Sequence, residues 1–214
     1  MKIGLVGLGS IAKRAYLPIL TQRADVEIIL CTRNQETIDE IKAKYHLTQS
    51  SNTLEELIAH KPDAIFISAA TNAHYELARK VLEAKIPLYL DKPISLNMKE
   101  IKVLSDYALK HQLIFMTGFN RRYVPVVKQV HDYGIPDLVI YQKNRNLESD
   151  IPRRFIVEDF IHVIDTTRYL LQSEITDVLV HSKLEGHLLS HIVVQLKTKD
   201  NSAMLFYPKT GSQL

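Results

Sequence analysis

Lys2-Ile3-Gly4-Leu5-Val6-Gly7-Leu8-Gly9-Ser10-Ile11-Ala12 follows the initial Met1, and the reading of this stretch decides the fold. Lys2 to Val6 is a short, mostly apolar run that stops at a glycine, as a buried strand does where the chain turns. Gly7, Gly9 and Ala12 then stand in the spacing G-x-G-x-x-G/A. Each small residue has a mechanical reason in that pattern. Gly7 permits a tight turn from strand into helix, Gly9 lets the backbone approach a pyrophosphate, and Ala12 lets the helix pack closely on its strand. Phosphates placed there would rest on the open N–H groups of the first helical turn, at Ser10 and Ile11. Taken alone, the same letters also describe an ordinary glycine turn.

Outward from this turn the pattern repeats. Further buried strands are expected over residues 26–31, 64–68, 87–90 and 113–117. Helices are expected over 11–22, 35–45, 54–60, 72–84 and 97–110. Pro18 is placed to kink or break the first of these helices, and Thr53 is placed to cap the third, with Glu55 and Glu56 in its first turn. Strands alternating with helices at this pitch mean βαβ units, a parallel sheet and right-handed crossovers, hence an α/β Rossmann fold with a doubly wound sheet. The pattern changes after Tyr123. A helix at 124–133, a strand at 138–143 and a helix at 158–171 lead into three successive strands, 176–181, 191–196 and 203–207. That is α+β character with a mainly antiparallel sheet. The expected organisation is a dinucleotide-binding domain over 1–120 and a smaller substrate and oligomerisation domain over 121–214.

The composition is that of an ordinary soluble chain: 214 residues, 46% hydrophobic and 24% charged, with a net charge of +3. The basic residues are scattered, which gives no support to nucleic-acid or membrane binding, and no apolar run approaches the ~20 residues of a membrane span. The single cysteine, Cys31, excludes an internal disulfide and fits a reducing compartment. It reads as a small buried hydrophobe. With no signal-peptide pattern at Met1-Lys2-Ile3, the expectation is a cytoplasmic protein. No histidine or cysteine spacing suggests a metal site.

The end of the second strand, Leu30-Cys31-Thr32-Arg33-Asn34, is where NAD-binding chains place a carboxylate for the ribose. None is present. Thr32 offers a hydroxyl to a 2′-phosphate, and Arg33 can pair with that phosphate or stack on adenine. The same Arg33 can also be a plain surface residue. The expected cofactor is NADP, with NAD as the alternative.

Further blocks lie along the chain in order: Ala70-Thr71-Asn72-Ala73-His74, Asp91-Lys92-Pro93, Gly118-Phe119-Asn120-Arg121-Arg122-Tyr123, and Glu158-Asp159-Phe160-Ile161-His162-Val163-Ile164-Asp165. Together with the glycine turn they resemble the Gfo/Idh/MocA oxidoreductases, the glucose-fructose oxidoreductase and inositol dehydrogenase group, and most nearly their MviM-like branch. The resemblance spans nearly the whole chain. It implies a two-domain enzyme that transfers a hydride between NAD(P) and a secondary alcohol, often of a sugar or cyclitol. It implies cofactor contacts at Gly7, Ser10, Ile11, Thr32, Arg33, Ala70, Thr71, Asn72, His74, Asp91, Lys92 and Asn120. The glycine pattern adds Gly9 and Ala12, and Asn34 follows Arg33. The resemblance also implies a catalytic pair, Lys92 and His162, helped by the residue four before the histidine, Glu158, where the family has aspartate. Set beside the family pattern, the second domain reads as shortened.

The residues can support that chemistry. Oxidation of a secondary alcohol needs a base for the hydroxyl proton. Lys92 stands at the carboxyl end of a parallel strand, where ligands bind in open α/β sheets, although a surface lysine at a strand end has the same address. On an α-helix Glu158, His162 and Asp165 share a face. Such a row can orient a substrate and relay a proton, or it can be a solvated face. A shortened second sheet would expose an unpaired apolar edge, so a homodimer through that sheet is expected. Two other readings stand beside the dehydrogenase: a dinucleotide-binding protein without catalysis, such as a sensor or remnant, and a methyltransferase on a similar sheet, which would lack the Asp-Lys-Pro and Gly-Phe-Asn-Arg-Arg blocks.

Overall fold

The computed structural model describes residues 1–146 and 150–210, and the chain divides into two compact units, Met1–Gly118 and Phe119–Leu214. The first unit runs β1 (Lys2–Val6), α1 (Leu17–Leu20), β2 (Glu27–Cys31), α2 (Gln35–Tyr45), β3 (Gln49–Ser51), α3 (Leu54–Ala59), β4 (Ala64–Ile67), α4 (His74–Glu83), β5 (Leu88–Leu90), α5 (Met98–Lys110) and β6 (Phe115–Thr117). Its sheet has the order β3-β2-β1-β4-β5-β6, and all five pairings are parallel. The strand order reverses between β1 and β4, which puts the switch point of a doubly wound sheet at the end of β1.

Strands covered on both faces need side chains that are apolar on both sides. Ile29, Ile65 and Leu88 pack with Leu57, Val81 and Leu104 in one cluster. Leu5, Ile28 and Leu30 pack with Leu17, Ile38 and Ile41 in another. The helices start where the sequence places their caps. Thr53 accepts from the Glu56 N–H at 3.2 Å and opens α3. Asn34 accepts from the Thr37 N–H at 3.0 Å and opens α2. The helical stretch expected over 11–22 is divided: a π-helical turn, Ala12–Tyr16, passes into α1, with Pro18 in the first turn of α1. β3 was not expected, because Gln49-Ser50-Ser51 has no apolar run.

The second unit contains α6 (Pro125–Asp132), β7 (Leu138–Gln142), β8 (Arg145–Asn146), α7 (Pro152–Arg154), α8 (Ile161–Leu171), β9 (Asp177–Glu185), β10 (Leu188–Lys197) and β11 (Ser202–Thr210). Its sheet has the order β7-β11-β10-β9, with β8 paired to β11. The β9–β10 and β10–β11 pairs are antiparallel and β7 joins β11 in parallel. The sheet is therefore mixed and mainly antiparallel. β9 and β10 form a hairpin closed at Gly186, whose φ of +65° suits glycine. It is longer than the expected strands 176–181 and 191–196. Phe160, Val163 and Leu171 pack against Ile192, Leu205 and Tyr207. All nine residues of β9 are exposed, and among the described residues it has a neighbour on one side only. Of the closing stretch Pro208–Leu214, residues 211–214 lie outside the described residues.

The helix expected over 158–171 differs in one respect. A π-helical turn, Phe155–Phe160, precedes α8 and holds both Glu158 and Asp159. Its i→i+5 bonding alters the phase between Glu158 and His162, while His162 and Asp165 keep their i,i+3 spacing within α8. Long-range partners hold the turn: Asp159 accepts from Lys143 Nζ and from the Tyr207 hydroxyl.

Candidate functional site

The glycine turn is fixed by its neighbours. The Gly7 N–H donates to the Cys31 carbonyl at 3.1 Å, and Ser68 Oγ donates to the Gly7 carbonyl at 2.7 Å. Gly7 adopts φ +83°, and a Cβ added there would lie 2.6 Å from the Ala69 nitrogen. Its lack of a side chain is required twice over, by conformation and by space. A Cβ at Gly9 would meet nothing within 4 Å. No packing among the described residues explains this second glycine, which fits a place left open for a phosphate. Ser10 and Ile11 are exposed in the first helical turn, and Ala12 is buried beside Leu5 and Leu30.

A cleft of about 550 Å³ opens at the carboxyl ends of β1, β2 and β4. Gly7, Thr32, Arg33, Ala70 and Asn72 line it together. Asn34 turns its side chain to the cap of α2, so its carboxamide oxygen is engaged. Thr32 Oγ1 accepts from the Asn34 N–H at 3.5 Å, and Arg33 is exposed. Two carboxylates also line the cleft, and both are neutralised. Glu55 pairs with Lys80 at 2.7 Å, and Glu76 pairs with Arg79 at 2.9 Å. Burial pushes the Cys31 thiol upward and keeps it protonated; its Sγ donates to the Thr53 carbonyl.

Thr71 and Asn72 form a short 3-10 turn ahead of α4. His74, the first residue of α4, is 1% exposed. Its Nδ1 lies 2.6 Å from the Pro93 carbonyl and its Nε2 3.0 Å from the Ala69 carbonyl. Asp91 and Lys92 follow β5, and the Lys92–Pro93 bond is cis. Asp91 Oδ1 accepts from the Lys92 N–H at 2.8 Å. Burial raises the Asp91 carboxyl above the usual range, against the lowering effect of that N–H and of the nearby Lys92 and His74. Tyr16, beside Tyr89 in an edge-to-face pair, is likewise pushed upward, first by burial and then by its hydrogen bond to Tyr89.

Asn120, Glu158 and His162 belong to the second unit. Asn120 opens the 3-10 turn Asn120–Tyr123 and is exposed. Glu158 accepts from Arg154 Nε at 3.2 Å, and His162 lies half-buried in the first turn of α8. Asp165 is engaged by an arginine. It is 8% exposed and receives both Nε and Nη2 of Arg122, at 2.9 and 2.5 Å. The Arg122 guanidinium also lies 5.5 Å from the Tyr169 ring centroid. This fork holds the Asn120–Tyr123 turn against α8.

The model of the oxidoreductase family with an NAD-binding Rossmann fold, GFO_IDH_MocA, matches residues 1–119. The chain belongs to the Gfo/Idh/MocA oxidoreductase family. Among relatives, the myo-inositol 2-dehydrogenase of Thermotoga maritima is 30% identical over 199 residues, covering 83% of this chain and 57% of its own length. Two crystal structures share the architecture. A family member from Vibrio cholerae has a TM-score of 0.91 at 31% identity, covering 98% of this chain and 69% of that one. The MviM dehydrogenase from Clostridium difficile has a TM-score of 0.90 at 29% identity, covering all of this chain and 72% of that one. The chain thus spans a little over half the length of such a curated relative.

The far wall of the cleft escaped the sequence. Asn52 and Thr53 come from the turn after β3, Leu54 and Glu55 from the first turn of α3, and Glu76, Leu77 and Lys80 from α4. The first group became placeable only with β3, the three-residue polar strand. The second had a signal: Glu76 and Lys80 follow the expected Asn72 at spacing four, which on the expected helix 72–84 puts them on its face.

Proposed function

We propose that this chain, as part of a two-unit dehydrogenase or reductase, binds a nicotinamide dinucleotide and acts on a secondary alcohol or ketone of a sugar- or polyol-like small molecule. The observation that carries this reading is the cleft at the switch point, where Gly7, Thr32, Arg33, Ala70 and Asn72 converge beside an open Gly9. The coenzyme supplies the hydride chemistry. Gly9, Ser10, Ile11 and Ala12 would carry its phosphates, and Thr71, Asn72, Asp91 and Asn120 its remaining polar groups. Lys92 is the proposed base for the substrate hydroxyl, with His162 and Glu158 orienting the substrate. The myo-inositol 2-dehydrogenase relative supports the substrate class.

NADP is the proposed coenzyme in preference to NAD. No carboxylate ends β2, the acids in the cleft are already paired with Lys80 and Arg79, and Thr32 with Arg33 offers a 2′-phosphate a hydroxyl and a cation. A cytoplasmic homodimer through the second-unit sheet completes the proposal, supported by the one-sided pairing of β9. A second reading, dinucleotide binding without turnover, draws on the ion pair that occupies Glu158.

The test is calorimetric titration with NADP(H) and NAD(H), followed by turnover with a panel of polyols and sugars. Micromolar binding, with turnover lost in Lys92→Ala, supports the dehydrogenase. Binding with no turnover across the panel favours the second reading. If well-folded protein binds neither coenzyme, both fall.

A further inference from the structure

We infer that His74 is a positioning residue for Lys92 and not a cofactor contact: its ring brackets the Ala69–His74 loop and the Lys92–Pro93 turn by reaching the carbonyls of Ala69 and Pro93. The inference rests on the reading of Lys92 as the base. Three observations carry it. The ring is buried at 1% exposure, which leaves no edge for a ligand. Its two nitrogens each lie at hydrogen-bond distance from a carbonyl, 2.6 Å to Pro93 and 3.0 Å to Ala69. Carbonyl oxygens only accept, so the neutral ring donates to one of the two and packs its bare nitrogen against the other, and only the doubly protonated ring donates to both.

The two carbonyls belong to different segments. Ala69 lies two residues beyond β4, at the start of the loop that carries Ala70 and Asn72 to the cleft. Pro93 immediately follows Lys92. One ring therefore closes the loop onto its own helix and ties it to the lysine turn. On the other side, the Lys92 N–H is held by Asp91 Oδ1 at 2.8 Å, and the Asp91 N–H donates to the Ile67 carbonyl of β4 at 2.9 Å. The backbone before Lys92 is thus anchored to β4 through Asp91, and the backbone after it is tied through His74 to the loop that follows β4. A catalytic side chain is useful when its backbone is fixed and its neighbours cannot drift. His74 supplies the half of that fixation that a surface residue could not.

The test follows the Lys92 amine itself and needs no substrate. Lysines are reductively methylated with 13C-formaldehyde, and the Lys92 methyl signal, assigned with Lys92→Arg, is followed against pH in the wild type, His74→Phe and His74→Gln. Phenylalanine fills the ring volume and donates nothing, whereas glutamine keeps an amide with two N–H groups. The expected result is a displaced Lys92 titration curve and a methylation rate raised about fivefold in His74→Phe, with both largely restored in His74→Gln. The curve of Lys13, held by Glu40 on α2, should not move. A purely structural role would lower thermal stability in His74→Phe and leave the Lys92 curve in place, and that result overturns the inference. Should His74→Phe fail to fold, the wild type decides by proton NMR: a slowly exchanging imidazole N–H is expected, and its absence overturns the bracket. Failure of both coenzymes to bind would remove the dehydrogenase reading but would not move the Lys92 curve, so the two failures are separable.

Discussion

At Gly7 a single side chain stands between this sequence and another fold geometry. Alanine there has to hold φ near +83° and place its Cβ 2.6 Å from the Ala69 nitrogen, a backbone atom that cannot swing away. Strain in the left-handed region is about 1–3 kcal/mol, and the clash adds to it. Gly7→Ala should lose at least ~2 kcal/mol in urea unfolding and lose coenzyme binding with it. Arg33 is the opposite case, an exposed residue whose replacement costs the fold little. If it holds a 2′-phosphate through charge-assisted bonds of about 1.5–3 kcal/mol, Arg33→Ala should weaken NADPH binding by roughly 10- to 100-fold. NADH binding should change much less, and equal losses for the two would remove the case for NADP. Asp91 adds a pH dependence. Burial raises its carboxyl in the folded chain, so the fold gains from its proton below the ordinary carboxylate range and loses that gain as the pH rises through the raised value. Thermal melts of Asp91→Asn and wild type should therefore diverge in favour of asparagine as the pH goes from about 4 to 7.

Elements show which parts of this molecule a sequence can announce. β1, β2, β4 and β5 are apolar runs stopped by glycine, asparagine or proline, and α2 and α3 carry their own caps in Asn34 and Thr53. Each of these signals is local. β3 is three polar residues whose strand character comes only from lying beside β2, and the cleft wall of Asn52 to Glu55 was lost with it. The π-helical turn Phe155–Phe160 was equally silent, because what holds Asp159 there is Lys143 and Tyr207, distant in sequence. Asp165 illustrates the cost of that silence. Helical spacing placed it beside His162 as a proton relay, but its partner is Arg122, 43 residues earlier. Breaking this pair leaves a carboxylate of 9% side-chain exposure without its fork, while the arginine, at 39%, remains partly solvated. A fully buried pair costs about 3–5 kcal/mol to break and an exposed one under ~1. Arg122→Met should fall between, at about 2 kcal/mol in denaturant unfolding. A loss of under ~0.5 kcal/mol would mean that the fork does not hold α8.

For the molecule as a whole, the open question lies at the margin of the second sheet. β9 is nine residues long, contains no proline, and among the described residues pairs only with β10. Val178, Leu179, Val180 and Leu184 are each about half exposed. Val178 and Val180 also line an apolar cleft of about 390 Å³ with Ile164 and Ile192. Natural edge strands are usually blunted by charge, proline or a bulge. Here Lys183 is the one lysine in β9, and it lies towards the hairpin end, away from Val178 to Val180. The unpaired amides and the apolar stripe therefore fall on the same length of strand, so both are satisfied by one covering surface. The proposed covering is a second copy, which predicts a weight-average mass in sedimentation that rises from monomer to dimer with concentration in the micromolar range. Val180→Lys puts a charge in the middle of the stripe, on an exposed position where it costs the fold little, and should shift the protein towards monomer by about tenfold in dissociation constant, equivalent to ~1.4 kcal/mol. Wild type that stays monomeric to high micromolar concentration would show that no second copy covers this edge. Unchanged association in Val180→Lys would move the contact elsewhere on the second unit, and the outward face of β7, with Leu138 and Ile140 exposed, is the surface to test next.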